Sequence, residues 1–440
     1  MSGSGLETVV SGGTVCLSEE LCPVDLGLAG GRIAAIAPAG SLTGLREVEV
    51  AGRLVFPGAV DPHVHLEQLT ASGQVSSDDF RQGSSAALWG GVTTLGDFAY
   101  PEGGERLAEA WERRGRAASQ RCLTRWFLHQ AFLGNDPDLD DQVEEVIELG
   151  ARSFKLHLND PRVDEEFLDR VCRLLARPEC LLLVHAEQGE RLRQNLDRLA
   201  REGRLGLEAL PLSQPDCLEA EAIDRAASAA GRHGTRLYVV HLTSAAGLEA
   251  VRRGRTAGVE IAAETCPQYL LLTEDRYDQP DGYCATCTPP FRRDGDREAL
   301  WRALASGEIQ VAATDHCPFT RAQKDTWGGD ITRLPFGMPG VETMVALIFS
   351  EGRRRGFSWE RLSSLVSGAA AAIYDLDTRP GLAEGAPADL FIYDPDASWE
   401  IEATGLHMNC DCSPYRGFRA DGRVETTFLG GRLWPDDFRE

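Results

Sequence analysis

Apolar positions along the chain change their period twice. Near the start, Thr8-Val9-Val10, Gly13-Thr14-Val15, Arg32-Ile33-Ala34-Ala35-Ile36 and Val48-Glu49-Val50 are short β-type runs divided by glycine or proline links. The far end repeats this habit in Ala388–Tyr393 and Val424–Gly431. Two separated ends of matching β character predict one small β-sandwich built from residues 1–57 and 379–440. Between them, residues 58–378 alternate short apolar runs with helical periods. The predicted strands are Val55–Val60, Thr93–Phe98, Arg125–Phe132, Ser153–Leu158, Leu181–His185, Leu237–Leu242, Glu260–Glu264 and Gln310–Thr314. Helical stretches such as Asp79–Trp89, Gln142–Leu149, Asp164–Ala176, Glu219–Arg232 and Ser244–Arg252 separate them. Eight strands with intervening helices predict an α/β fold, a (β/α)8 TIM-like barrel. A doubly wound open sheet would place a glycine-rich phosphate loop after an early strand, and none is present. Arg321–Pro339, with Gly328-Gly329 and Gly337, reads as a long loop after the last strand.

Composition narrows the partners. A net charge of -23 leaves no basic face to replace the counterions of a phosphate backbone, which excludes nucleic acid. No apolar run is long enough to span a membrane, and Met1-Ser2-Gly3-Ser4-Gly5 lacks the pattern of a secretory signal, so a cytoplasmic protein is expected. The twelve cysteines are then expected to be reduced and partly buried. Cys284-Ala285-Thr286-Cys287 has zinc-like spacing without a second half-site, and Cys410 and Cys412 are too close for an ordinary one.

Of the 45 basic residues only Lys155 and Lys324 are lysine. Arginine cannot replace lysine where a neutral amine is needed, which singles out Lys155 in its apolar strand. Strand ends supply further chemistry. In Asp61-Pro62-His63-Val64-His65 the two histidines share one strand face, and two imidazoles can chelate one cation. Alone, HxH decides little. His185, His241 and Asp315 also end apolar strands, so five strands present ligand-type side chains at the face where barrel active sites form. Lys155 as an ammonium would be a structural ion-pair partner; carbamylated by carbon dioxide, it becomes a carboxylate able to bridge two cations.

The chain resembles the cyclic amidohydrolases of the amidohydrolase superfamily, nearest to hydantoinases and dihydropyrimidinases, over nearly its whole length. The motifs are Pro57–Leu66, Asp78-Asp79-Phe80, Gly90–Thr94, Gly96-Asp97-Phe98-Ala99, His185-Ala186-Glu187, Cys266–Leu270, Thr288–Arg292, Thr314–Phe319 and Ser413-Pro414-Tyr415. The resemblance implies two divalent cations, commonly zinc, with carboxylated Lys155 between them. His63, His65 and Asp315 would hold one, and His185 and His241 the other. It implies opening of a cyclic amide, imide or ureide by a metal-bridging hydroxide, Asp315 moving the proton, in a dimer or tetramer.

Three departures bear on the substrate. Where hydantoinases and dihydropyrimidinases carry an oxyanion-binding tyrosine, five residues after the lysine, this chain has Asp160. His157 replaces a bulky apolar residue, and Pro339 an asparagine that contacts the ring. Together with Thr288 these are the expected substrate contacts, and a substrate more polar than a dihydropyrimidine follows; His157 either touches it or supports from behind. Dihydroorotases carry Arg and His where Glu67 and Phe319 stand. Allantoinase-like or dihydroorotase-like activity, deacylation of N-acyl amino acids, and a catalytically silent dihydropyrimidinase-related protein are the alternatives.

Overall fold

A computed structural model describes residues 5–17, 20–70, 72–377 and 381–438. The expected boundary between 378 and 379 and the Met1–Ser4 reading lie outside them. Six strands precede the central block: β1 (Thr8–Ser11), β2 (Thr14–Leu17), β3 (Glu20–Ala29), β4 (Arg32–Pro38), β5 (Arg46–Glu49) and β6 (Leu54–Pro57). Eight parallel strands follow: β7 (Ala59–Val64), β8 (Val92–Ala99), β9 (Arg125–Ala131), β10 (Ser153–His157), β11 (Leu181–His185), β12 (Leu237–Val239), β13 (Ile261–Thr265) and β14 (Val311–Ala312). β15 (Leu390–Glu400), β16 (Arg419–Leu429) and β17 (Arg432–Trp434) end the chain.

The eight parallel strands pair in sequence order, each with its neighbour, as the alternating pattern predicts. Closure comes from the ends. Val64 and His316 form a parallel bridge, and the His65 amide donates to the His316 carbonyl at 2.7 Å. Buried Asp61 adds a clip, accepting from the Thr314 amide at 3.1 Å and its hydroxyl at 2.5 Å. β7 and β8 are buried at every position, because helices cover the sheet from outside and side chains fill it from inside. Two of the helices start on side-chain caps of this kind: Asp79 accepts from the Gln82 amide before Phe80–Trp89, and Ser244 from the Gly247 amide before Ala245–Thr256.

Two expectations gain detail. The single run Val55–Val60 divides at Gly58, with β6 pairing β15 and β2, and β7 opening the barrel. A Cβ at Gly58 would lie 2.1 Å from the Thr93 hydroxyl, so only glycine fits at this crossing. The small sandwich built by both termini is one continuous nine-stranded sheet curled on itself. Strand β3 is the reason: its first half pairs β2 and its second half pairs β1 and β4. The curl wraps its own core, which includes Val15, Leu26, Ile33, Leu390 and Phe428.

Gly96 on β8 marks the tightest strand contact near the site. A Cβ there would sit 2.7 Å from the Pro62 carbonyl oxygen and from the Phe127 ring. Since backbone cannot swing away as a side-chain tip does, Gly96→Ala is expected to cost about 1–3 kcal/mol of stability. A urea unfolding midpoint equal to that of the parent would contradict this.

Candidate active site and metal centre

At the C-terminal mouth of the barrel lies a cavity of about 1030 Å³. Its wall contains His63, His65, Lys155, His185, His241 and Asp315, all six groups expected at the strand ends. The Asp315 carboxylate lies 3.3 Å from His63 Nε2 and 3.1 Å from His65 Nε2. Those three residues are one of the two clusters among the described residues whose donor atoms could surround a cation. Opposite them the His185 and His241 rings meet edge to face with centroids 4.7 Å apart, and His241 lies 5.5 Å from His63. Lys155 is 1 % exposed, its Nζ 5.3 Å over the Phe98 ring against which His65 stacks.

Backbone geometry at the mouth is unusual. His241 and Asp315 lie just past their strands with φ of 38° and 54°, left-handed conformations that cost non-glycine residues about 1–3 kcal/mol. The strain turns both side chains off the strand direction and into the cavity.

Burial sets the protonation. It holds the His63, His241 and His157 imidazoles well below their ordinary range, leaving them neutral with a lone pair to offer. It also lowers the Lys155 amine to about 8, against the opposing pull of Asp315 and Glu264. His241 Nδ1 is buried without a hydrogen-bond partner. An orphaned buried nitrogen, neutral imidazoles and a desolvated amine facing one carboxylate form a donor set that suits divalent cations.

Carboxylates behind the first layer orient it, and the sequence pattern alone missed them as a group. Glu264 reaches His63 Nδ1 at 2.5 Å while accepting from the Tyr238 hydroxyl at 2.8 Å and the His241 amide at 3.1 Å. Glu187 meets His185 Nε2 at 2.8 Å. Such partners fix the tautomer and raise the basicity of the opposite nitrogen. In the sequence Glu187 was only a letter two places after a strand-end histidine, and Glu264 only the last residue of an expected strand. His129 and His316 lie outside the cavity lining and have both nitrogens engaged, with Ser153 and the Pro62 carbonyl, and with Asp78 and the Gly340 amide. They are therefore structural.

The expected substrate contacts divide. His157, Asp160 and Thr288 line the cavity. His157 Nε2 is 2.9 Å from the Tyr100 hydroxyl, a residue of the loop after β8 that no motif had marked. Asp160 is paired with Arg162 at 2.6 Å, so its charge is matched locally. Thr288 joins Glu187 through the Gln214 amide, whose nitrogen donates to the Thr288 hydroxyl at 2.8 Å and to Glu187 at 3.2 Å. Pro339 corrects the expectation. It is buried and outside the lining, because the Cys317 amide bonds the Met338 carbonyl at 3.0 Å and the Gly340 amide bonds His316. Leu334, Phe336 and Gly337 of the same loop form the wall instead. Glu67 pairs with Arg121 at 2.5 Å and also lies outside the lining. Among the described residues no helix is long and apolar enough to cross a membrane.

Comparison with known proteins gives the family. The model of the Amidohydrolase family matches residues 54–434. A D-hydantoinase of Streptomyces coelicolor is 33% identical over 436 residues, covering 96% of this chain and 93% of its own. The solved dihydropyrimidinase of Brevibacillus agri superposes with a TM-score of 0.93 at 29% identity, covering 97% of this chain and 94% of its own. A solved D-hydantoinase from Bacillus sp. AR9 gives 0.92 at 31% identity, with 97% and 95% covered. An eight-stranded barrel with this mouth, matched over nearly its whole length, makes the chain a member of the amidohydrolase family of hydrolases.

Proposed function

We propose that this chain opens the ring C–N bond of a cyclic amide, imide or ureide of the hydantoin or dihydropyrimidine type. The observation that carries the reading is the convergence of His63, His65, Lys155, His185, His241 and Asp315 on one cavity. In this reading His63, His65 and Asp315 hold one divalent cation, His185 and His241 a second, and Lys155, carboxylated, lies between them. When bound, such a pair, most simply zinc, acidifies water and polarises a carbonyl. Asp315 then accepts the proton of the attacking water and returns it to the leaving ring nitrogen, its carboxylate already set between two imidazoles. Glu264 and Glu187 hold the ring planes of His63 and His185. The barrel, 58–378, carries the chemistry, and the terminal sheet of 1–57 and 379–440 supplies none of the six groups.

Testing is direct. Hydantoin, dihydrouracil, allantoin and dihydroorotate are assayed for ring opening before chelation, after it, and after return of Zn2+. Turnover of at least one ring, lost and regained in step with the metal, is expected. No turnover on any ring with a full metal complement would move the chain to another branch, such as N-acyl amino-acid deacylation. Absence of bound metal would favour a silent protein.

The ring substituent is the part read by Tyr100 and His157. This pair adds a hydrogen-bonding spot to a wall otherwise built from groups such as Leu69, Phe132, Val163 and Phe336. His157→Ala is expected to lower kcat/KM about 10- to 100-fold on rings bearing a polar substituent, the effect of about 1–3 kcal/mol from an unpaired buried group. The unsubstituted ring should be unaffected. Equal kcat/KM on the polar-substituted ring for His157→Ala and the parent would sink the idea.

A further inference from the structure

A second cluster of metal-binding side chains lies apart from the cavity groups that the hydrolase reading uses. Cys410 and Cys412, on the C-terminal segment, hold their sulfurs 3.7 Å apart. The buried Cys284, from the loop after β13, brings its thiol against that of Cys412. Asp411 offers a carboxylate oxygen within 4.8 Å of the Cys410 and Cys412 sulfurs, and Cys284 joins this trio through Cys412. The spacing of each pair by itself forms no metal site; the fold joins two distant half-sites that the sequence leaves unconnected.

We propose that Cys284, Cys410 and Cys412 are thiolate ligands of a soft d10 cation, Zn2+ being the simplest, with Asp411 completing the tetrahedron. Two observations and one chemical preference carry this. Sulfurs on adjacent corners of a tetrahedral Zn site with Zn–S of about 2.3 Å are about 3.8 Å apart, and the two placed here are at 3.7 Å. Thiolates are the ligands soft cations select. The second observation is charge. Lys324, one of the chain's two lysines, is 1 % exposed, and its Nζ donates only to Thr286 Oγ1, the Thr286 carbonyl and the Pro335 carbonyl. Burial draws this amine down to about 8, and thiolates at the neighbouring Cys412, Cys287, Cys317 and Cys284 would favour its charged form. Binding converts three S–H groups and one divalent cation into three metal–sulfur bonds and three released protons. The product carries one negative charge, or two with Asp411, beside Lys324 and Arg321. Such a site staples the loop bearing Thr288 to the C-terminal segment. The neighbouring Asn409 amide bonds Asp78 at 2.6 Å, and Asp78 holds His316, next to Asp315.

The full-length chain, reduced and stripped of metal, is titrated with Co2+ and separately with Zn2+. An intense near-ultraviolet sulfur-to-cobalt band is expected, which the histidine, carboxylate and lysine groups of the cavity do not produce. Cys412→Ser and Cys284→Ser should each remove the band and one equivalent of metal, and Cys287→Ser should keep both. A His63→Ala/His65→Ala chain should lose ring opening and keep the band, so this site and the hydrolase reading fail separately. Should a serine variant not fold, alkylation of the parent decides: Zn2+ should protect three thiols. No band in the reduced parent, or unchanged alkylation of these thiols with Zn2+ present, overturns the proposal. So does recovery of a Cys284–Cys412 disulfide from chain purified without oxygen.

Discussion

Lys155→Arg is expected to lower kcat/KM for ring opening by about 10³-fold or more, equivalent to about 4 kcal/mol of transition-state stabilisation. The argument starts from the side chain's surroundings. Lys155 is 1 % exposed, lies over Phe98, and has been drawn by burial to about 8, so an appreciable fraction is free amine near neutral pH. A free amine adds carbon dioxide: the nitrogen lone pair forms the N–C bond, a proton leaves, and a carboxylate faces the neutral imidazoles. A guanidinium stays protonated and cannot follow. Incubation with ¹³C-bicarbonate and detection of a carbamate carbon by NMR, present in the parent and absent in the variant, checks the chemistry apart from turnover. Lys155→Met separates fold from function, since exchanging a buried amine for an apolar chain of similar length should leave the metal-free protein at least as stable. A Lys155→Arg enzyme within tenfold of the parent would show that this amine serves packing alone.

The fold and the site were legible to different depths for physical reasons. Strand and helix periods are local, so the eight parallel strands and their order could be read from the apolar runs around residues such as Leu181–Val184. The six strand-end groups were legible because parallel strands present their C-terminal ends at one mouth, whatever the loops do. Loop-borne contacts were not. Tyr100, on the loop after β8, meets His157 at the end of β10 across 57 positions, and Gln214 reaches Thr288 across 74. Neither distance has any sequence period. Pro339 stands outside the cavity lining because the residues on either side of it are pinned to His316 and Cys317. The curl of the terminal sheet was not legible, because the two halves of β3 pair with different strands and neither pairing leaves a local period.

Asp315→Asn is the second large effect, and it separates proton transfer from shape. The residue stands at φ 54°, a conformation that asparagine tolerates nearly as well as aspartate, so the backbone turn should survive. The amide is close in size to the carboxylate and can stay near His63 and His65, so the unfolding midpoint should hardly move. What asparagine cannot do is accept a proton. Loss of a general base costs about 10²–10⁴-fold, and loss of an anionic ligand beside His63 and His65 adds to it. A fall in kcat of about 10³-fold or more is therefore expected. Metal analysis divides the two contributions: a variant reloaded to the parent's metal content should still lack the acidic limb of the kcat pH profile. Asp315→Ala offers the contrast, because alanine disfavours the left-handed turn and should also lower the unfolding midpoint. Full metal content together with kcat within tenfold of the parent would remove Asp315 from the chemistry and leave it a ligand only.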